Sequence, residues 1–132
     1  MDNSEKLERN KKFLISYYTA MVDAGEETGE ASIRQFTTNE SYIKSVLAFR
    51  RAFPNYEIFI EDMTAEGDFV IAHGLFRGTH KGEIFGIPAT FRKVEFPMIV
   101  KYHVVSDKIL DVWPMFDQMT LFEQLGVLPK MG

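Results

Sequence analysis

Tyr56-Glu57-Ile58-Phe59-Ile60-Glu61 marks the point where the hydrophobic period of this chain changes. Tyr56, Ile58 and Ile60 alternate with Glu57 and Glu61, the two-residue period of a strand with one face on a core, although Phe59 interrupts strict alternation. Upstream the period is helical. Leu14, Tyr17, Tyr18 and Met21 follow the i, i+3, i+4, i+7 spacing of one helix face, with Leu7 one heptad earlier. Gly25 is placed to end that helix, and Asp2 or Ser4 to cap its start. A short helical turn over Glu30 to Phe36 follows. Thr37-Thr-Asn-Glu40 then has the form of a capping box, before a helix that carries Tyr42, Ile43, Val46, Phe49 and Phe53 at helical spacing. Pro54 bars its continuation, because the residue before a proline avoids the α region.

Downstream, Phe69 to Thr79, Val94 to Val105 and Ile109 to Phe116 read as further strands. Turn signals separate them at Glu66-Gly67-Asp68, Gly78 to Gly82, Gly86-Ile-Pro88 and Ser106-Asp107-Lys108. Pro97 inside the longest run predicts an edge or a bulge, since proline donates nothing to a central ladder. Helices first and an antiparallel sheet afterwards predict an α+β fold. The 132 residues suit one domain, 1–132, with one real core. The residues beyond Leu128 are expected to be loosely held.

Composition narrows the partners. The net charge is −4 and the basic residues are scattered, which argues against the concentrated basic stripe that nucleic acid requires. Cysteine is absent, so disulfides, thiolate catalysis and zinc-thiolate sites are excluded. The polar first ten residues lack an apolar signal core, and no run reaches the roughly 20 apolar residues of a membrane span, so a cytoplasmic location without membrane contact is the expectation. The glycines lack phosphate-binding spacing, and the three histidines are dispersed with no metal-binding pattern. No cofactor is expected. Apolar residues on both faces, as in Ile58-Phe59-Ile60 and Met98-Ile-Val100, predict a homodimer or higher oligomer on the outer sheet face.

Asp117 is the first candidate for chemistry. Trp113 and Phe116 precede it and Met119, Leu121 and Phe122 follow, and apolar neighbours raise a carboxyl pKa, which would make it a usable acid or base. The competing role is a helix cap for Gln118 to Leu125. His103 is the second candidate, sharing one strand face with Ile99, Lys101 and Val105. A three-residue Ser106–Lys108 loop would place that face with Asp111, Trp113 and Asp117. A two-residue turn would place His103 opposite them unless a bulge intervenes. His80 is either a pocket-rim residue or an exposed turn residue, and His73 could point inward beside Ile71 and Leu75.

Ala65-Glu-Gly67-Asp68, Gly78-Thr-His80-Lys-Gly82, Gly86-Ile-Pro88, Val94-Glu-Phe96 and the closing Trp113-Pro-Met-Phe-Asp117-Gln-Met-Thr-Leu-Phe-Glu-Gln124-Leu-Gly126 together resemble the SnoaL-like polyketide cyclase and ester cyclase group. That group belongs to the nuclear-transport-factor-2-like superfamily, and the resemblance implies a cone of helices packed on a curved sheet around a pocket. It implies a hydrophobic small-molecule ligand and an aspartate that closes a ring by intramolecular aldol chemistry, without metal, nucleotide or Schiff base. It also implies a strand histidine fourteen residues earlier in the same pocket, the spacing at which His103 and Asp117 stand. Trp113, Phe96, Met98 and Tyr102 would line or flank that pocket, with His80 at its rim. The segment from Gly25 to Phe36 is shorter than its counterpart in the group and lacks the group's Asp-Tyr-Val-x-x-His-like stretch. A non-catalytic binding or dimerisation module on the same cone is the alternative.

Overall fold

In the computed structural model, which describes residues 3–127, helix α1 (Asn3–Asp23) leads into a short α2 (Gly29–Arg34) and then α3 (Glu40–Ala52). Leu14, Tyr17, Tyr18 and Met21 are all buried, so the periodic face is the one that meets the core. Asp2 and the residues beyond Leu128 lie outside the described residues; Ser4, the other cap candidate, is inside α1. No basic residue in the last turn of α1 serves its carbonyls, and Arg50 of α3 does so instead, donating to Met21 O at 2.5 Å and Ala24 O at 2.9 Å. The capping box is a different device from the one its letters predict. Asn39 is the cap, accepting from Tyr42 N at 3.1 Å, while the Thr37 hydroxyl is buried and donates to Ile109 O at 2.7 Å.

Strands β1 (Glu57–Glu66), β2 (Phe69–Thr79), β3 (Lys93–Val105) and β4 (Lys108–Phe116) form one antiparallel sheet in the order β1-β2-β3-β4, and α4 (Gln118–Leu125) closes the described chain. The sheet is α+β as expected, but β1 runs five residues beyond Glu61. The pairing register shifts between Ile60 and Asp62, leaving Glu61 as a bulge. That extra residue moves Met63 and Ala65 onto the face already held by Ile58 and Ile60, which hides the continuation from a two-residue count.

Val70, Ala72, Phe76, Val94, Phe96, Met98, Val100, Tyr102 and Val104 line the inner face and pack beneath the helices. Phe69, Ile71, His73, Ile99, Lys101 and His103 alternate with them on the outer face. His73 therefore points outward, with Nδ1 at 3.3 Å from Asp62 and 3.7 Å from Glu61.

β3 is flanked on both sides, so Pro97 marks neither an edge nor a bulge within β3. Its carbonyl accepts from Asp117 N at 3.2 Å, and in an antiparallel ladder a residue turns its N–H and C=O toward the same neighbour. The donor that proline lacks would thus face the Asp117 carbonyl. That carbonyl instead accepts from Leu121 N at 3.1 Å, the first turn of α4. Proline sits where the ladder ends and the helix begins, and no hydrogen bond is lost.

Two ion pairs pin the start of α1 to the hairpin tips. Lys6 meets Asp68 at the β1–β2 turn, and Arg9 donates two bonds to Asp107, at 2.7 and 3.2 Å, at the β3–β4 turn.

Candidate functional site

The strand-to-helix junction places Asp117 at the N-cap of α4, exposed. Its carboxylate accepts from Thr120 N at 2.9 Å and from the Thr120 hydroxyl at 2.7 Å. These bonds favour the charged form, first the backbone N–H and then the hydroxyl, and they hold the carboxyl below its usual range, with burial opposing weakly. The apolar neighbours of the sequence do not desolvate it. Phe116 turns to the inner side, 6.3 Å from Phe85 and 5.4 Å from Phe96, while the carboxylate stays in water. Asp117 is consequently a base at neutral pH and not a stored acid. Each of its oxygens keeps a lone pair free of Thr120.

Asp117 shares its lowered pKa with Glu40, Asp68 and Asp107, which are held down by Arg34, Lys6 and Arg9. For each, the folded pKa lies below the unfolded one, so the stability it contributes is complete above about pH 4 and is lost as pH falls through the lowered value. The melting temperature should accordingly be flat from neutrality down to about pH 5 and should fall below about pH 4. Added salt should reduce the contribution of the three ion-paired carboxylates, which are exposed. A melting temperature unchanged between pH 5 and pH 2 would contradict this account.

The β3–β4 connection is the two-residue turn Ser106-Asp107, both residues at positive φ (49° and 56°), and it carries the compensating bulge. Val104 pairs with Ile109 and His103 with Asp111, so Leu110 is the extra residue. His103, Asp111, Lys101 and Trp113 therefore do share a face, but it is the outer one. His103 Nδ1 is 3.4 Å from Asp111, its ring stacks on Phe69 at 4.9 Å, and the Lys101 ammonium lies over the rings of Phe69 and Trp113 at 4.5 and 5.2 Å. His103 and Asp117 are not brought together. Asp117 lies opposite Pro97, six residues along β3 from His103, a separation of roughly 20 Å at strand rise. Fourteen residues of sequence are taken up by the hairpin, and both members of the pair stay on one strand layer at different heights.

Of the expected pocket residues, Phe96, Met98 and Tyr102 lie on the inner face and are buried, whereas Trp113 is half exposed on the other side of the sheet. His80 is neither a rim residue nor an exposed turn residue, because it is completely buried. Its Nδ1 accepts from Thr90 N at 3.1 Å and meets the Thr90 hydroxyl at 2.9 Å, while its main chain bonds to Arg92 and Phe91. With Nδ1 accepting, the proton sits on Nε2, which has no partner. The side chain clips the 80–92 loop against Phe53, 5.5 Å from its ring.

The polar heart of the inner side is a group of tyrosines that the helical count reads only as core. The hydroxyls of Tyr17 and Tyr42 are 2.5 Å apart, as are those of Tyr18 and Tyr102. The rings of Tyr42 and Tyr102 meet edge to face at 6.4 Å, which brings the two pairs side by side. The available sequence signal is chemical, since a buried tyrosine needs a partner for its O–H and two adjacent ones on a core face need two. A groove of about 710 Å³ runs between α1 and β1, with Ile15, Tyr18, Val22, Ile58, Ile60 and Met63 forming its apolar walls. Among the described residues no three His, Asp or Glu side chains gather to hold a metal ion, and no helix is long and apolar enough to cross a membrane.

Residues 15–125 match the model of the family described as SnoaL-like polyketide cyclase. No functionally curated protein shows significant sequence similarity to the chain. Solved structures share its fold. A candidate SnoaL-like polyketide cyclase of Jannaschia sp. CCS1 superposes with a TM-score of 0.80 at 16% identity, covering 98% of this chain and 99% of that one. A SnoaL-like polyketide cyclase of Agrobacterium tumefaciens gives 0.72 at 18% identity, over 89% and 98%. AclR of Streptomyces galilaeus, a candidate hydroxylase, gives 0.77 at 19% identity, over 93% and 99%.

Proposed function

Because the chain belongs to the SnoaL-like polyketide cyclase family, we propose that it closes a ring in a hydrophobic, carbonyl-bearing small molecule by proton transfer at Asp117. The observation that carries this reading is the ionised carboxylate of Asp117, fixed by Thr120 with lone pairs to spare, at the end of a strand whose last residue belongs to a phenylalanine cluster. Phe49, Phe85 and Phe116 lie in mutual ring contact, Phe122 joins them through Phe85, and together they supply apolar surface for such a ligand. The carboxylate takes a proton from a methylene flanked by carbonyls. The resulting enolate carbon bonds to a second carbonyl of the same molecule, and the alkoxide that forms recovers the proton from the carboxyl. Nothing is oxidised or reduced, and the product is an isomer of the substrate. His103 takes no part in this scheme, because it lies six residues along β3 from the Pro97–Asp117 pair, roughly 20 Å away at strand rise.

That separation favours a second reading, a binding module that holds the ligand without turning it over. One substitution divides them. Asp117→Asn keeps the cap, since asparagine caps about as well as aspartate, but cannot carry a proton. Ketone and ester ligands found by thermal shift should be bound equally by wild type and variant, and ring closure should fall about a hundredfold in the variant. Asp117→Ala should in addition lower the melting temperature by about 3 °C through loss of the cap. Equal turnover by wild type and Asp117→Asn would remove Asp117 from the chemistry, and binding without turnover in wild type would leave the module.

The outer sheet face supports self-association. Phe59, Ile71, Ile99, Trp113 and Met115 are each at least 40% exposed there, more apolar surface than isolated side chains explain. A homodimer would cover them, with His103 and Lys101 inside the contact. Met115 is the most exposed, at 72%. Light scattering at micromolar concentration should give the mass of a dimer or larger for wild type and of a monomer for Met115→Asp; a wild-type monomer throughout would end this proposal.

A further inference from the structure

We infer that the ring of Phe85 holds the seat that a flat aromatic ring of the substrate takes, and that Phe85 turns out of this seat when the substrate enters. The inference deepens the reading of Asp117 and rests on it, because it names the class of carbonyl compound that the aromatic surface at that junction selects.

The seat is defined by three rings from three elements. Phe49 comes from α3, Phe116 from the end of β4 and Phe122 from α4, so they meet around the strand-to-helix junction that carries Asp117. The ring of Phe85 touches all three, at 6.0 Å from Phe49, 6.3 Å from Phe116 and 6.1 Å from Phe122. Phe49 and Phe122 stand nearly perpendicular to it, at 77° and 88°, while Phe116 is nearly parallel, at 22°. Two perpendicular neighbours and one parallel neighbour are the arrangement that suits a flat aromatic ring. A ligand that lies on Phe49, Phe116 and Phe122 together must therefore replace the Phe85 ring.

That ring is held under strain and incompletely covered. It stands at the tip of a two-residue hairpin, in which Ile84 and Ile87 exchange both backbone bonds, at 3.1 and 2.8 Å, and Gly86 N donates to Glu83 at 2.9 Å. Phe85 and Gly86 have φ of 52° and 76°. Turns of this kind prefer Asn-Gly, and a phenylalanine in the left-handed region is strained. Phe85 is also 52% exposed, so its contacts return only part of what a core phenylalanine gains. Strain kept at such a position points to a function for the side chain. The hairpin itself is anchored, with Ile84 buried and Ile87 packed against the core. Rotation of the Phe85 side chain thus clears the seat while the hairpin stays in place, a change of the kind that often accompanies binding.

The test uses the full chain as wild type and as Phe85→Asn, with two neutral ketones as probes, the flat 2-acetylnaphthalene and its ring-saturated counterpart 2-acetyldecalin. Asparagine accepts the left-handed turn and brings no ring, so the seat is open at all times. A seat closed for part of the time lowers the apparent affinity by the fraction of time it is open. Phe85→Asn should consequently bind the flat ketone at least about tenfold more tightly than wild type does, and should prefer it about tenfold to the saturated one. With 4-fluorophenylalanine in place of Phe85, saturation with the flat ketone should move the fluorine resonance toward its position in the urea-unfolded chain, a result that does not depend on asparagine. The inference is overturned by a variant that binds the flat ketone no more tightly than wild type, that does not distinguish the two ketones or that fails to fold. A fluorine resonance that stays in place while the ketone is bound overturns it equally, as does the absence of binding by either protein. None of these measurements reads turnover, so the base assigned to Asp117 stands or falls by its own substitution.

Discussion

Alanine at Gly74 is expected to destabilise the protein by at least about 3 kcal/mol, a large share of the roughly 5–15 kcal/mol that holds a domain together. A Cβ on Gly74 would lie 2.1 Å from the Phe59 carbonyl oxygen, 3.0 Å from its carbon and 3.1 Å from Ile60 Cα. All three are backbone atoms, so no rotamer change relieves the overlap. Gly74 pairs with Ile60, immediately before the register shift, and the bulged strand folds closely over its neighbour there. The substitution forces β1 away from β2 at the position where the bulge fixes its register. Urea unfolding should show the loss as a lower midpoint, and hydrogen exchange should show it first in β1. An alanine variant within 0.5 kcal/mol of wild type would mean that β1 does not approach β2 in this way.

Phe53→Ala is expected to cost about 3–5 kcal/mol, the range for a large aromatic removed from a core. Phe53 has no exposed surface, and its ring lies 5.3 Å from Phe76, 6.0 Å from Phe49 and 5.5 Å from His80. It is the last contact of α3 before Pro54, and the ring joins that helix to the sheet and to the histidine that clips the 80–92 loop. The cavity would open beside an Nε2–H that already lacks a partner. The loss should therefore appear twice, as a lower urea midpoint and as faster exchange of the Thr90 and Phe91 amides, which bond to His80. Normal protection of those amides in the variant would show that the loop does not depend on Phe53.

The helix-then-strand order was legible because each segment keeps its own period, and the inner face of β3 follows strict alternation from Val94 to Val104. Where the period breaks, legibility stops. Glu61 and Leu110 are single extra residues, and each changes which side chains share a face. The location of His103 and Trp113 hung on the second of these bulges, and which face was the core could not be read from a strand with apolar residues on both. Asp117 shows another limit. Its sequence neighbours are apolar, but the residue that controls its charge is Thr120, whose backbone N–H and hydroxyl come within reach of the carboxylate only once α4 forms. The two phenol pairs were hidden for a third reason: their members come from α1, α3 and β3, and only tertiary packing brings the hydroxyls within reach.

The two bulges also bear on how copies of this chain can join. A sheet that offers both a free face and free edges can grow without limit if strands add side by side, whereas pairing through a face stops at two. On β1 the bulge at Glu61 breaks the row of edge groups, and Glu57, Glu61, Asp62 and Glu66 place four carboxylates along ten residues. On β4 the extra Leu110 gives its carbonyl to Asn39, Ile109 bridges to Thr37, and Pro114 has no N–H to offer. Neither border is a template for another strand. Any association of copies would thereby be steered toward the face, toward small closed particles and away from fibrils.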